Sequence, residues 1–345
     1  MAARVEQPHR MKIAVGMSGG VDSTVAAMLL KKDGHDVLGV TMSLDRADEA
    51  RNVAAAEAAA AKAGVPLKVF DFSAQWREEV LGYAKATYLA GRTPNPCVRC
   101  NETVKFGLLP RAAFALGCEL FATGHYARTE NRGGTARLLR GADRTKDQSY
   151  FLYRVPGEIL ARTVFPLGGL TKREVRELAR AAGAEFPRGG ESRDFCGGDP
   201  AAVVGAARRE GDIVTLDGRV IGRHGGFWRY TVGMRRGLGV GGGTPYYVVR
   251  LDAARNEVVV GFKADAVWYD LELVDTVGTV DRTLPVKVRS AGEPRLLSDG
   301  VAGAAPGQSA VFYRGDEVAG GGVIAESPAG RRSTPGSPTG LRRAP

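Results

Sequence analysis

Near the amino terminus an apolar run, Ile13 to Val15, meets Ser18-Gly19-Gly20-Val21-Asp22-Ser23, and a helical pattern from Thr24 to Leu30 follows at once. A strand that turns through two glycines straight into a helix opens a βαβ unit, and such units build parallel sheets covered by helices. The rhythm persists. Val37 to Val40, Leu67 to Phe70 and Leu120 to Ala122 read as further strands, and the alanine-rich run Ala47 to Ala63 reads as a helix stopped by Gly64-Val65-Pro66. The first part of the chain, from Met11, is therefore expected to be a doubly wound parallel α/β domain. Ligands of such sheets sit at the carboxyl ends of the strands, which is where Ser18 to Ser23 falls and where Met42, just beyond a second strand, lines the same crevice.

Gly19 and Gly20 have no Cβ, so their N–H groups can approach an anion closely, and the helix that follows aims its positive end at the same point. This is a phosphate cradle. It is not a P-loop, because no lysine follows the glycines to grip a γ-phosphate. The Ser-Gly-Gly-x-Asp-Ser pattern resembles the pyrophosphate loop of the N-type ATP pyrophosphatases, whose fold is that of the adenine nucleotide alpha hydrolases. That resemblance implies cleavage of ATP between its α and β phosphates and adenylation of a substrate oxygen. Asp22 would then help hold the Mg²⁺ that offsets the charge of the departing pyrophosphate.

Thr171-Lys172-Arg173-Glu174 fits a capping box that opens a helix running to Ala182, so the α-rich part extends to about Arg209. After Gly211 the texture changes to short alternating runs and glycine turns. Asp212 to Leu216, Arg219 to Ile221, Tyr246 to Leu251, Glu257 to Phe262, Leu271 to Val274, Val286 to Arg289, Ser309 to Tyr313 and Glu317 to Ile324 all read as strands, with Arg314-Gly315-Asp316 turning the last hairpin. The expected organisation is a catalytic domain over 11–209, a β-rich domain over 210–270, a β-barrel domain over 271–327 and a disordered tail, 328–345, rich in Pro, Gly, Ser and Arg.

The formal net charge is +10, and the tail supplies Arg331, Arg332, Arg342 and Arg343 without any acid. The remaining basic excess suits a polyanion such as RNA. No apolar stretch approaches the ~18 residues of a membrane span, and Met1 to Arg10 lacks the apolar core of a secretory signal. A cytoplasmic enzyme is expected.

The chain has 4 cysteines, too few and too scattered for a secreted disulfide scaffold. Thr93-Pro94-Asn95-Pro96-Cys97-Val98-Arg99-Cys100-Asn101 is a proline-stiffened loop with a helix expected just after Cys100. A thiol beside Arg99 and a helix start gains thiolate character. Cys196 lies in a glycine-rich loop flanked by Gly189, Gly190, Gly197 and Gly198, which suits a thiol that moves to meet another. A zinc half-site at Cys97 and Cys100, a three-cysteine iron–sulfur cluster that adds Cys196, and persulfide chemistry followed by a disulfide all remain open on these residues. Cys118, ahead of a buried strand, reads as a packed thiol.

The pyrophosphate loop, the Thr-Pro-Asn-Pro-Cys-x-x-Cys-Asn loop with Lys105-Phe106 after it, Gly124-His125-Tyr126-Ala127 and Lys146-Asp147-Gln148-Ser149-Tyr150-Phe151-Leu152 occur in that order. Tyr230 to Leu238 and Pro306-Gly307-Gln308 to Tyr313 follow. Together they resemble the bacterial tRNA-specific 2-thiouridylases, the MnmA family, over nearly everything from Met11 to Glu326.

The resemblance implies 2-thiolation of the wobble uridine of tRNA: ATP adenylates the uridine C2 oxygen, pyrophosphate leaves, and sulfur displaces AMP. Cys196 would carry a persulfide received from a sulfur donor, a cysteine desulfurase or a relay protein, and Cys100 would resolve it. Gly16, Met17, Ser18, Gly19, Gly20, Val21, Asp22, Ser23, Met42 and Gly124 match the ATP contacts. Asn95, Pro96 and Cys97 match the target-base loop, and His125, Lys146, Asp147, Gln148, Arg289 and Gln308 match tRNA contacts. An iron–sulfur-dependent version of the reaction and an inactive tRNA-binding paralogue are the alternatives. The chain departs from the family pattern at Gly190-Glu191-Ser192, Gly197-Gly198, Met234 and Ser290.

Overall fold

The computed structural model describes residues 10–325 apart from 45, 47, 185–198, 206, 207 and 242. The chain gathers into two compact units, Met1–Arg77 with Val98–Arg193, and Glu78–Cys97 with Asp194–Pro345. The expected catalytic stretch, 11–209, is therefore interrupted. The helix Tyr83–Leu89 belongs to the β-rich unit because Tyr88 packs on that unit's core and Thr93 N–H donates to the Pro306 carbonyl at 2.8 Å.

In the first unit the strands are β1 (Lys12–Gly16), β2 (Asp36–Ser43), β3 (Leu67–Asp71), β4 (Leu120–Thr123), β5 (Ala127–Arg132), β6 (Thr135–Arg140) and β7 (Thr163–Val164). Five of them form the expected parallel sheet, in the order β3-β2-β1-β4-β7. The chain first winds outward from β1 through β2 to β3 and then returns to β1's other edge as β4, so the topological switch lies between β1 and β4. That is where a doubly wound sheet opens its ligand crevice.

Among the helices that pack about the sheet, α1 (Val21–Lys32), α2 (Glu49–Ala63) and α3 (Lys172–Ala181) share one core with it. Val25, Ala26 and Ala27 of α1 meet Ile13 and Val15 of β1, while Ala56, Ala59 and Ala60 of α2 and Val175 and Ala179 of α3 complete the same core. Fully burying each valine or isoleucine is worth about 1.5–3 kcal/mol, and the alanine faces let α1 and α2 approach closely. The capping box at Thr171 is complete: its Oγ1 accepts from Glu174 N–H and the Glu174 carboxylate accepts from Thr171 N–H.

Two features depart from expectation. The helix near the cysteines starts at Pro96, not after Cys100: Pro96–Cys100 is helical, and the turns continue through Asn101–Leu108 and Leu109–Ala115. Proline suits a first helical turn, where its missing N–H has no partner to lose. The second is the β5–β6 hairpin, which pairs antiparallel from Ala127↔Arg140 to Arg132↔Thr135. It turns through Gly133 and Gly134 at φ +58° and +79°, the two left-handed residues that a two-residue hairpin loop demands. Its mixed, mostly polar sequence hid it.

The second unit contains β8 (Gly211–Thr215), β9 (Val220–His224), β10 (Tyr247–Asp252), β11 (Glu257–Gly261), β12 (Val267–Trp268), β13 (Leu273–Gly278), β14 (Val286–Lys287), β15 (Val301–Ala302), β16 (Ser309–Arg314) and β17 (Glu317–Ile324). A four-stranded sheet in the order β10-β11-β8-β9 encloses Ile213, Phe227, Trp228, Val248, Val258 and Val260. Antiparallel pairing of β13 and β16 with β17, and of β14 with β16, surrounds a second core of Leu273, Val286, Ala310, Phe312 and Ile324. The last hairpin turns at Gly315 (φ +60°) as expected, with Arg314 opposite Glu317. The tail 328–345 lies outside the described residues. Among those residues no helix is long and apolar enough to cross a membrane.

Candidate functional site

The register of the parallel sheet assembles the cradle. Gly16, the last residue of β1, pairs with Val40 of β2 on one side and Thr123 of β4 on the other. Met17, Ser18 to Ser23, Met42 and Gly124 therefore share the carboxyl end of the sheet. Gly19 has φ +81°, and a Cβ there would fall 2.6 Å from the Ala55 Cβ of α2. A glycine is required on both counts. Ser23 braces the turn, accepting from Ser18 N–H at 3.2 Å and donating to the Gly20 carbonyl at 3.1 Å. Gly20 occupies the N-cap of α1 with extended backbone and no side-chain cap. The first turn of α1 is thus left for an anion to cap.

Asp22, in that first turn, is held by two donors. Lys172 Nζ lies 2.7 and 2.6 Å from its two carboxylate oxygens, and Tyr126 Oη donates to Oδ1 at 2.8 Å. Lys172 is 7% exposed although it starts α3. Burial, reinforced by the Asp22 carboxylate, pushes the Tyr126 phenol far above its ordinary range, so it keeps its proton and donates it to that carboxylate. Among the described residues no cluster of three or more His, Cys, Asp or Glu side chains is gathered around a metal position. One carboxylate fits a Mg²⁺ that arrives on ATP, since such an ion keeps waters and phosphate oxygens as most of its ligands.

Cys100 ends the Pro96–Cys100 helix and is buried, Cys97 on its first turn is half-buried, and Cys118 is buried. Burial raises the Cys118 thiol above its ordinary value, in line with a packed, unreactive group. Cys196 and its glycine-rich loop lie outside the described residues.

The residues matched to tRNA contacts divide by environment. His125 sits among the rings of Phe106 and Phe165, with centroids 5.6 and 6.3 Å away, and its Nδ1 is 2.7 Å from Thr123 Oγ1. Burial and then Lys105 hold its pKa well below the ordinary 6.5, so it is a neutral imidazole. Asp147 is turned inward: its carboxylate pairs with Arg140 Nε at 3.3 Å and accepts from the N–H groups of Gly141 and Ser149, each at 3.1 Å. Its side chain braces the segment that carries Lys146 and Gln148. Gln148 closes a two-way bond with the Tyr126 backbone, both arms 2.9 Å, and Lys146 beside it is half-buried.

In the second unit Asn95 is buried, and its Nδ2 is 3.4 Å from Ser309 Oγ. Gln308 Nε2 donates to the carbonyls of Thr93 and Pro94. A cavity of about 340 Å³ is lined by Thr93, Met234, Arg289, Gly303 and Gln308 among others. Arg289 threads between Gly233 and Gly303, where a Cβ would come 2.6 and 1.4 Å from its guanidinium. Both glycines have positive φ, +85° and +67°.

Residues 11–197 match the family model described as the tRNA methyl transferase HUP domain. The tRNA-specific 2-thiouridylase MnmA of Geobacter metallireducens is 42% identical over 91% of this chain and 97% of its own length. The chain belongs to the MnmA family. MnmA proteins of Chloroflexus aurantiacus, 42% identical over 91% of this chain and 98% of theirs, and of Zymomonas mobilis, 40% identical over 94% and 96%, are similarly close. Residues 204–262 match a tRNA methyl transferase PRC-barrel domain and 296–324 an aminomethyltransferase beta-barrel domain. Both matches fall in the β-rich unit and agree with its two cores.

Within this MnmA chain two site residues escaped sequence reasoning. Tyr126 stood in a quoted motif without a role. Lys172 read only as the first residue of a capped helix. It lies 150 residues from Asp22 in sequence, and no local pattern announces a partner at that distance.

Proposed function

We propose that this protein catalyses ATP-dependent 2-thiolation of the wobble uridine of tRNA. The observation that carries the reading is the N-terminus of α1, whose N-cap Gly20 offers no side-chain cap, framed by Gly19, Gly20 and Gly124 at the switch point of the sheet. It is a cradle for the phosphates of ATP that lacks the local lysine of γ-phosphate-transferring enzymes. The 2-thiouridylase names of its relatives supply the substrate.

In this reading the backbone N–H groups of the loop and the α1 terminus hold the phosphates, and the uridine C2 oxygen attacks the α-phosphorus. The bond to pyrophosphate breaks and its electron pair leaves with the pyrophosphate. Mg²⁺, held in part by Asp22, supplies charge neutralisation when bound. Adenylation turns a poor leaving oxygen into AMP. Cys100 thiolate then attacks the inner sulfur of a Cys196 persulfide, forming a Cys100–Cys196 disulfide and releasing hydrosulfide, which displaces AMP from C2. A cellular thiol must reduce the disulfide before the next turnover.

The persulfide comes from a separate sulfur donor. Asn95, Pro96 and Cys97 present the target base, spread from the anticodon stack as RNA recognition of loops requires. In the second unit Arg289 and Gln308 line a cavity suited to nucleic-acid contact. His125 and the Lys146-Asp147-Gln148 segment contribute contacts from the first unit.

The test is incubation with unmodified tRNA, Mg-ATP and a persulfide donor, followed by mass spectrometry of the nucleosides. A 2-thiouridine signal is expected that survives Cys118→Ala and vanishes in Cys100→Ser and Cys196→Ser. Product from either of those serine variants sinks the two-thiol route, and a wild-type protein that yields none sinks the reading as a whole.

A further inference from the structure

The pyrophosphate loop has no cation of its own in sequence, yet one is present in space. Lys172 Nζ contacts both oxygens of Asp22, a residue whose own N–H belongs to the open first turn of α1. The charge therefore stands beside the point where an anion caps the helix. Lysine is seldom buried without a purpose that offsets desolvation, and this one is 7% exposed.

Its main chain is pinned at the start of α3: Lys172 N–H donates to Asp143 Oδ2 at 3.0 Å, and Thr171 and Glu174 complete the capping box around it. A lysine ammonium is a point charge on a flexible four-carbon stem, able to exchange one anionic partner for another without moving its backbone. Asp22 has a second donor in Tyr126, so its carboxylate is not left bare when the lysine turns away.

We infer that Lys172 is a phosphate-binding residue of this site, moving from Asp22 to the oxygens of the departing pyrophosphate when Mg-ATP enters and thereby opening Asp22 to the magnesium ion. The inference rests on the ATP reading of the loop and adds a residue to it. Lys172 offsets the electron pair that passes to pyrophosphate as the bond to the α-phosphorus breaks. No proton moves in the exchange. The cation that a P-loop carries within its motif is here delivered by a distant helix.

The experiment is calorimetric titration of the full chain with Mg-pyrophosphate, with AMP and with an α,β-methylene analogue of ATP, in wild type, Lys172→Met and Lys172→Arg. The methionine variant should bind pyrophosphate and the ATP analogue about 10- to 100-fold more weakly, the range of one charge-assisted hydrogen-bonded contact. AMP affinity should stay within about twofold, and arginine should restore part of the loss. Because Lys172→Met leaves Asp22 without its cation, the Asp22→Asn, Lys172→Met double variant, read against Asp22→Asn alone, provides the same comparison without that unpaired charge. Equal pyrophosphate affinity in wild type and Lys172→Met, or equal loss for AMP and pyrophosphate, overturns the inference while leaving the ATP reading intact. A wild-type protein that binds neither nucleotide nor pyrophosphate overturns both.

Discussion

Gly124 stands so close to Asp22 that a Cβ on it would lie 2.7 Å from the Asp22 carbonyl carbon and 2.7 Å from Ser23 N. The end of β4 thus sets the position of the first turn of α1. Gly124→Ala forces one of the two backbones to shift, an overpacking that costs about 1–3 kcal/mol. Because the displaced atoms belong to the phosphate cradle, ATP affinity should fall by about tenfold or more, with a modest drop in melting temperature. Calorimetry beside a thermal melt checks both.

His125 makes stability depend on pH. Its folded pKa lies well below the ordinary 6.5, through burial and then Lys105, so the unfolded chain takes up the proton first. The contribution is fully present above 6.5 and is lost as pH falls below that value, because stability rises with pH wherever the unfolded state binds more protons. His224, lowered by its own burial, acts in the same direction. Melting temperatures measured from pH 8 downward should decline below about 6.5, and His125→Asn should remove about one proton's worth of that slope. An unchanged slope refutes the neutral, enclosed imidazole.

Asp147→Ala takes a buried carboxylate away from the Arg140 guanidinium, which has 6% side-chain exposure. Removing one partner of a buried pair costs about 3–5 kcal/mol, and the N–H groups of Gly141 and Ser149 lose an acceptor as well. The expected result is a large loss of stability in a urea titration, with tRNA affinity falling only as folded protein is lost. A stable Asp147→Ala protein with impaired tRNA binding would show that the carboxylate itself serves the RNA contact.

Gln308→Ala releases the Thr93 and Pro94 carbonyls from their side-chain donor. Each lost hydrogen bond is worth about 0.5–1.5 kcal/mol, so global stability should change little while the loop before Cys97 loosens. Hydrogen exchange of the amides over 93–99 should accelerate, and thiolation should slow with ATP affinity unchanged. Unaltered exchange there would show that the loop is held by other contacts.

Most of the fold was legible from the chain. The apolar runs of β1 to β4, the glycine turn and the Thr171 capping box are local signals, each carried by neighbours within a few residues. Helix α3 ended within a residue of its expected limit for that reason. The β5–β6 hairpin was not legible, because its polar strands carry little apolar alternation and only Gly133 and Gly134 mark it. The return of 78–97 to the β-rich unit was equally hidden, since packing of Tyr88 and the Thr93 to Pro306 bond depend on residues more than a hundred positions away.

The same division runs through the candidate site. By itself the sequence determined that a glycine cradle follows β1, that an aspartate stands in the first turn after it, and that Cys97 and Cys100 are far along the chain from Cys196. Backbone conformation and charge in a short motif depend on the residues in that motif. Only the tertiary structure decided that Gly124 must be bare against Asp22, that Asp147 turns inward to Arg140, and that a lysine from α3 reaches the cradle. Those relations join segments far apart along the chain, and a contact at 3 Å is created by how the sheet and helices pack, not by any pattern that either segment carries alone.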